Sequence, residues 1–277
     1  LTSEALASRL ETIGVDTTAG AAGGSGPAAA APVTLDDGDH LWIKLFQGFE
    51  TYNGSNDLKD HSFGGTLGYD KPVDASTRIG GLLSYAMTSY STANIDGNSH
   101  DWRIGAYIDH RNGAWEYSGL LSYGRNHYDL DRYVSQDGSK LNANYQARVW
   151  SLEAKAKYLV PSTRCRTWQV APYGKLSYSH TSQDAYTESG SDAWAQQLKA
   201  ASHSSVSGEI GAGFTRRLDL NSSYGLTFGY RRVLSGADTT LNGSFAGEDS
   251  HPFAIRSQND RNFFTYSLNL HGTLGGR

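Results

Sequence analysis

The stretch Trp150-Ser151-Leu152-Glu153-Ala154-Lys155-Ala156-Lys157-Tyr158 decides the fold. Trp150, Leu152, Ala154, Ala156 and Tyr158 fall on one side of a two-residue period, and Ser151, Glu153, Lys155 and Lys157 fall on the other. Successive side chains of an extended strand point to opposite faces, so this segment presents one apolar and one charged face. About ten segments of this kind lie between Asp39 and Leu274. Leu41, Ile43, Leu45 and Phe49 oppose Trp42, Lys44, Gly48 and Glu50. Phe63, Leu67 and Tyr69 oppose Ser62, Thr66 and Asp70, and Ile79, Leu83 and Tyr85 oppose Arg78, Ser84 and Thr88. Trp102, Ile104 and Ile108 oppose Arg103, Tyr107 and Asp109; Trp115, Tyr117 and Leu121 oppose Glu116, Ser118 and Ser122. Beyond Tyr158 the same alternation sets Val170, Leu176 and Tyr178 against Gln169, Tyr173 and Lys175, and Val206, Ile210 and Phe214 against Ser207 and Glu209. Leu226, Phe228 and Tyr230 then oppose Thr227 and Arg231, and Phe264, Tyr266 and Leu268 oppose Thr265, Ser267 and Asn269.

Composition agrees with many strands and excludes several other classes. Glycine (32) and tyrosine (17) are abundant in the 277 residues, while Cys and Met occur once each, a balance that suits strands better than a helical enzyme. No run of 18 apolar residues exists, so there is no transmembrane helix. The negative mean hydropathy would ordinarily indicate a soluble protein. A membrane barrel also produces it, because only alternate residues meet lipid and the rest face a polar lumen. A formal charge of −4 with mixed signs leaves no nucleic-acid footprint. Leu1 opens into Thr2, Ser3 and Glu4 with no signal-peptide pattern, as in a mature or excised fragment.

Connection lengths separate a membrane barrel from a soluble sandwich. His110 to Ala114, Lys71 to Ser76, Pro161 to Arg166 and Asp219 to Ser223 are tight or short. Between them Thr51 to His61, Ser91 to Ser99, Asp129 to Gln146, Thr181 to His203 and Ser235 to Asp260 read as long polar loops at the opposite end. Short periplasmic turns and long extracellular loops mark an outer-membrane barrel. Trp102, Trp115, Tyr117, Tyr128, Trp168 and Tyr230 near strand ends fit interfacial aromatic girdles. The charged face, comprising Lys44, Glu50, Asp70, Arg78, Arg103, Asp109, Glu116, Glu153, Lys155, Lys157, Lys175, Glu209 and Arg231, is expected to line the pore. Mixed signs let these groups pair across it without a single-sign field that would grip a sliding polypeptide.

Ahead of the strands, Ser3 can cap a short helix whose Leu6, Leu10 and Ile13 share a face, with Gly14 as its stop. Three turns are marginal alone in water, so the helix is expected to lodge in the pore, with Arg9 facing Glu116, Glu153 or Glu209. An Ala/Gly-rich linker joins it to the strands. The organisation is therefore a helix over residues 1–14, a linker over 15–38 and an antiparallel up-and-down barrel over 39–277.

Catalytic constellations are weak. Asp109 and His110 are adjacent on a strand and point to opposite faces. Asp129 and Asp131 have the gap that aligns two carboxylates, in what reads as a loop entry. His180, His203 and His251 lack metal-ligand spacing, and Cys165 reads as a passive turn residue. No catalytic residue, metal or cofactor is expected.

Several stretches, in order, carry a family resemblance. They are the helix and tether, Leu41-Trp42-Ile43-Lys44, Arg78-Ile79-Gly80-Gly81-Leu82-Leu83-Ser84-Tyr85, Gly119-Leu120-Leu121-Ser122-Tyr123-Gly124, Trp150-Ser151-Leu152-Glu153-Ala154, Ala171-Pro172-Tyr173-Gly174-Lys175-Leu176-Ser177-Tyr178 and Thr187-Glu188-Ser189-Gly190. Together they resemble the autotransporter β-domain of type V secretion. The resemblance implies a barrel in the bacterial outer membrane that exports an N-terminal passenger to the cell surface and anchors it. Its implied partners are membrane lipid, the passenger, the outer-membrane barrel-assembly machinery and periplasmic chaperones. Two departures stand out. The family barrel has twelve strands, whereas Phe263 to Leu274 matches the tenth and Gly275-Gly276-Arg277 the turn entering the eleventh. The Asn-Asn pair used for self-cleavage in one branch is missing near the helix, so no catalytic residue carries over. A ten-stranded outer-membrane protease or lipid enzyme, or a porin or adhesin barrel, would share the strand pattern. A folded barrel is expected to migrate differently in SDS gels before and after boiling; identical mobility would reject the fold.

Overall fold

The computed structural model describes residues 33–34, 39–52, 58–135, 137–161, 168–190, 194–217, 222–246, 248–257 and 261–272. Strands run as β1 (Val33–Thr34), β2 (His40–Tyr52), β3 (Leu58–Pro72), β4 (Thr77–Ser91), β5 (Ile95–Asn112), β6 (Trp115–Tyr133), β7 (Lys140–Tyr158) and β8 (Trp168–Gln183). They continue as β9 (Tyr186–Thr187), β10 (Gln196–Leu198), β11 (Ala201–Arg217), β12 (Ser222–Ser235), β13 (Thr239–Phe245), β14 (Glu248–Ser257) and β15 (Asn262–Gly272). An eleven-stranded antiparallel sheet takes the order β1-β2-β3-β4-β5-β6-β7-β8-β11-β12-β15. Ten of its strands are long, as the alternating segments predict; β1 adds two residues, Val33 and Thr34, from within the stretch read as linker. The helix over residues 1–14, with Arg9, and the turn carrying Cys165 lie outside the described residues.

Burial along this sheet is inverted relative to a water-soluble protein. Leu67, Leu83, Ile104, Leu121, Leu152, Leu176, Ile210 and Phe228 are exposed, and Ile104 retains 61% of its accessible surface. Thr66, Ser84, Arg103, Ser122, Ser151, Glu153, Ser179 and Glu209 are buried on the opposite face. Register locks the inversion in place. Leu83 pairs with Ile104, Tyr123 with Trp150 and Ser122 with Ser151, so like faces align from strand to strand. A one-residue slip would send every charge of a strand to the apolar side. The polar face is shielded because the sheet curls on itself, giving a barrel with a polar inside and an apolar outside.

Aromatic contacts edge the apolar band on both sides. Toward the long loops, Tyr85 meets Trp102 (ring centroids 4.5 Å apart), Tyr123 meets Trp150 (4.7 Å) and Tyr230 meets Phe264 (5.5 Å). Toward the short turns, Trp115 meets Tyr158 (5.0 Å) and Trp168 meets Tyr224 (5.5 Å). Trp115 and Tyr123 on β6 are roughly 26 Å apart at the usual strand rise, or about 20 Å across a membrane once the strand is tilted. That separation is comparable to, and somewhat shorter than, the roughly 25 Å apolar band of an outer-membrane barrel. Tyr128, read from the sequence as a girdle residue, is instead 1% exposed on the inner side beyond the band.

The long loops differ most from expectation. Ser91 to Ser99 and Asp129 to Gln146 are largely strand, because β5, β6 and β7 continue past the girdle and leave only tight turns at their tips. Thr181 to His203 and Ser235 to Asp260 carry a second, four-stranded sheet of order β14-β13-β10-β9. The strand period persists through this region, but the polarity of the faces reverses. On β7 the inward residues change from Ser151 and Glu153 to Val149, Ala147, Tyr145 and Leu141, while the outward ones change from Trp150 to Arg148, Gln146 and Asn144. Above the membrane the outside meets water, so the apolar residues turn inward. That reversal makes a continuous strand read as a polar loop.

Replacing an exposed outward residue within the band is expected to be costly only in lipid. Ile104→Lys should destabilise the protein by roughly 2–4 kcal/mol in folding titrations into bilayers; a cost within about 0.5 kcal/mol, normal for an exposed site on a soluble protein, would contradict the lipid-facing assignment.

Candidate functional site

The inner face brings most of the charged residues singled out in the sequence into paired contacts. Near the short-turn end Asp70 accepts hydrogen bonds from Arg78 Nε (2.6 Å) and the Tyr107 hydroxyl (2.8 Å). Lys157 meets Glu116 at 2.5 Å. Asp109 joins Arg78, Glu116, Lys155 and Lys157 around a cavity of about 500 Å³ that opens beside the Asp74 turn. Further along, Lys175 lies between Glu209 (3.2 Å) and Glu153 (3.8 Å), and Lys155 stands over the Tyr173 ring at 4.5 Å. Glu209 also accepts from the Tyr173 hydroxyl (2.6 Å) and is register-paired with Arg231, whose guanidinium covers the Phe263 ring. Arg103 is buried on the inner face beside Asp101. The side chains of Lys44 and Glu50 lie outside the described ones.

Tyr107 and Tyr173 belong to this network, although the sequence reading did not mark them as site residues. Their signal was a glycine across the strand. Tyr107 pairs with Gly80, where an added Cβ would lie 2.4 Å from the ring, and Tyr173 pairs with Gly211, where it would lie 2.7 Å away. Each tyrosine lies flat over a bare backbone; the Tyr107 hydroxyl reaches past β4 to Asp70 on β3, and the Tyr173 hydroxyl reaches Glu209 on β11, the strand that carries Gly211. Substituting either glycine would lift the ring and break the hydroxyl contact.

At the long-loop end the inner side carries an apolar cluster. Tyr90, Tyr128, Tyr145 and Tyr186 form a ladder with successive centroid distances of 6.4, 4.8 and 4.4 Å, joined by Leu130, Leu198 and Leu241. Burial pushes the Tyr145 and Tyr186 phenols above their ordinary range. The second sheet attaches to β7 through Asp184 N to Gln146 O and the Asn142–Ser189 bridge. Arg132 ties it to β6 by a fork onto Glu188 (2.8 and 2.5 Å) and a third bond to the Trp194 carbonyl (2.9 Å). Glu188 also accepts from Gln196 N. This contact explains the Thr187-Glu188-Ser189-Gly190 stretch, which supplies the latch between barrel and outer sheet.

The possible catalytic groups do not converge. Asp109 faces inward, whereas His110 is exposed and bonded to Thr77 Oγ1 (2.9 Å). Asp129 and Asp131 lie on β6 rather than in a loop. Asn144 donates to Asp129; Lys140 and Asn142 contact Asp131, and the Lys140 hydrogen bond holds its carboxyl below the usual range. Among the described residues no group of three or more His, Cys, Asp or Glu gathers as a metal site.

The autotransporter β-domain profile matches residues 41–277. The chain belongs to the autotransporter β-domain family. Its fold is similar to that of the translocator domain of the autotransporter NalP from Neisseria meningitidis, at 18% identity and a TM-score of 0.66 over 84% of this chain and 86% of that one. It is also similar to the β-domain of the Bordetella autotransporter BrkA, at 16% identity and a TM-score of 0.59 over 84% of this chain and 97% of that one. No curated protein matches it in sequence. Membership makes this autotransporter chain an outer-membrane translocator domain.

Arg132→Ala would leave the Glu188 carboxylate buried without its fork. The expected outcome is protease cleavage at the long-loop end while the boiling-dependent gel shift of the barrel persists. Unchanged protease resistance would show that the latch does not hold the outer sheet.

Proposed function

We propose that this autotransporter domain acts mechanically, as conduit and then anchor for a passenger joined ahead of Leu1. The observation that carries the reading is the combination of an apolar outside with an inner face of paired, mixed charges. Such a lumen stays wet and offers a sliding polypeptide no continuous patch of one sign. The named charged residues line the pore in this reading. The helix of residues 1–14 lodges there after export, with Arg9 near Glu116, Glu153 or Glu209, and residues 15–38 tether it. Outer-membrane insertion uses the barrel-assembly machinery, with periplasmic chaperones holding the unfolded chain. The outer sheet narrows the long-loop mouth, held by Arg132 and Glu188.

Closure is part of the same proposal. Among the described residues β15 stands at one margin of the sheet and β1 with β2 at the other. An unpaired backbone group in hydrocarbon costs several kcal/mol. Two further strands joining β15 to β2 would pair both margins and give the twelve of the family.

A reporter fused ahead of Leu1 in a closed barrel is expected to reach the cell surface; retention in the periplasm would overturn the conduit. Deleting residues 2–14 is expected to raise single-channel conductance, and an unchanged conductance would reject the lodged helix.

A further inference from the structure

The outer surface carries a basic tier immediately outside the long-loop aromatic girdle. On β5 His100 follows Trp102, on β6 Arg125 follows Tyr123, and on β7 Arg148 follows Trp150. His180 follows Tyr178 on β8, and Arg232 follows Tyr230 on β12. Each of these residues lies two positions farther from the membrane centre than its aromatic, the step that returns a strand to the same face. Girdle aromatics sit at headgroup level, and two more residues advance a tilted strand by roughly 5 Å, which puts this tier beside headgroup phosphates.

Two observations point to an anion there. Arg125 and Arg148 are direct cross-strand partners, and like charges in that position repel unless something negative joins them. Their protein contacts supply one exposed carboxylate between the two guanidiniums. Arg125 Nε donates to the neutral Gln146 oxygen (2.9 Å), and Arg148 meets Asp184 at 2.6 Å in a pair whose side chains are 53% and 47% exposed, an arrangement worth little in water. The nearby carboxylates Asp129 and Asp131 lie still farther out and are engaged by Asn144 and Lys140. The second observation is a groove of about 630 Å³ on the outer face, which lies beneath Arg232 of the same tier and not beneath the arginine pair, and runs over Ala154, Gly174 and Gly208 between Leu176 and Leu234. Small residues below a cation suit an acyl chain below a phosphate.

We propose that this tier binds a phosphorylated glycolipid of the outer leaflet, with Arg125 and Arg148 clasping one phosphate between them. Paired guanidinium forks match phosphate oxygens in number and direction. The docking would set the height and rotation of the barrel in an asymmetric membrane, a property separate from passenger export.

The test reconstitutes the full chain in phosphatidylethanolamine vesicles containing bisphosphorylated lipid A, enzymatically dephosphorylated lipid A, or neither with inorganic phosphate added. Lipid retained on the protein is measured by native mass spectrometry. Bisphosphorylated lipid A is expected to bind best, with affinity falling on the order of tenfold in the Arg125→Gln/Arg148→Gln double variant. A Lys71→Gln/Arg111→Gln control at the short-turn end should match wild type. The boiling-dependent gel shift verifies that each variant has folded. On wild type alone, loss of binding at high salt or on dephosphorylation gives the same answer without any variant. Equal retention by wild type and double variant, no preference for the phosphorylated lipid, or competition by inorganic phosphate at comparable concentration would each overturn the proposal.

Discussion

A strand crossing hydrocarbon has no water to satisfy its N–H and C=O groups, so every one of them must find a neighbouring strand. That requirement explains why the chain is built as one long antiparallel meander in which each long strand pairs with the next throughout the membrane band. Once the backbone is committed to pairing, register becomes strict, because the two faces meet opposite environments. Leu83 against Ile104 and Ser122 against Ser151 are consequences of that strictness. The side chains then only have to match the environment on each side of the sheet.

The environment changes along β6 and β7, and polarity follows it. Within the membrane the outer face is apolar and the inner face charged; past the girdle the outer face meets water, and the inner face carries tyrosine, leucine and alanine. The same strands therefore serve as membrane wall and, past the girdle, as the support to which the outer sheet is latched. The join between the two regimes falls at the aromatic girdle, where Tyr123 and Trp150 can keep a ring in apolar surroundings and an N–H or hydroxyl in water. Above it, β7 trades β8 for the chain that leads into β9, and Arg132 with Glu188 fixes the new neighbour.

Inside the barrel, charge is tolerated because it is shared. Lys175 serves both Glu209 and Glu153, and Asp70 serves both Arg78 and Tyr107. Removing a single member would leave its partner shielded from solvent with its charge unmatched, a larger penalty than the intact pair's net contribution. The tyrosines lying over Gly80 and Gly211 connect these charges across strands, so wall geometry and lumen electrostatics depend on the same residues.

The sequence by itself determined the ten long strands of the main sheet and their faces, since segments such as Trp150 to Tyr158 carry a two-residue period, and it determined the family through the order of those segments. It also placed Arg103, Glu153, Lys175 and Glu209 on a common face. Three things only the tertiary structure decided. The first is which acid meets which base, because pairs such as Lys157 with Glu116 and Arg132 with Glu188 join residues distant in sequence whose meeting depends on register and curvature. The second is the outer sheet: alternation that reverses polarity at the girdle cannot be recognised until the membrane boundary is known, so β9, β10, β13 and β14 read as loop. The third is the clustering of Arg125 and Arg148, separated along the chain and brought face to face by a hairpin whose register, not its composition, sets the distance.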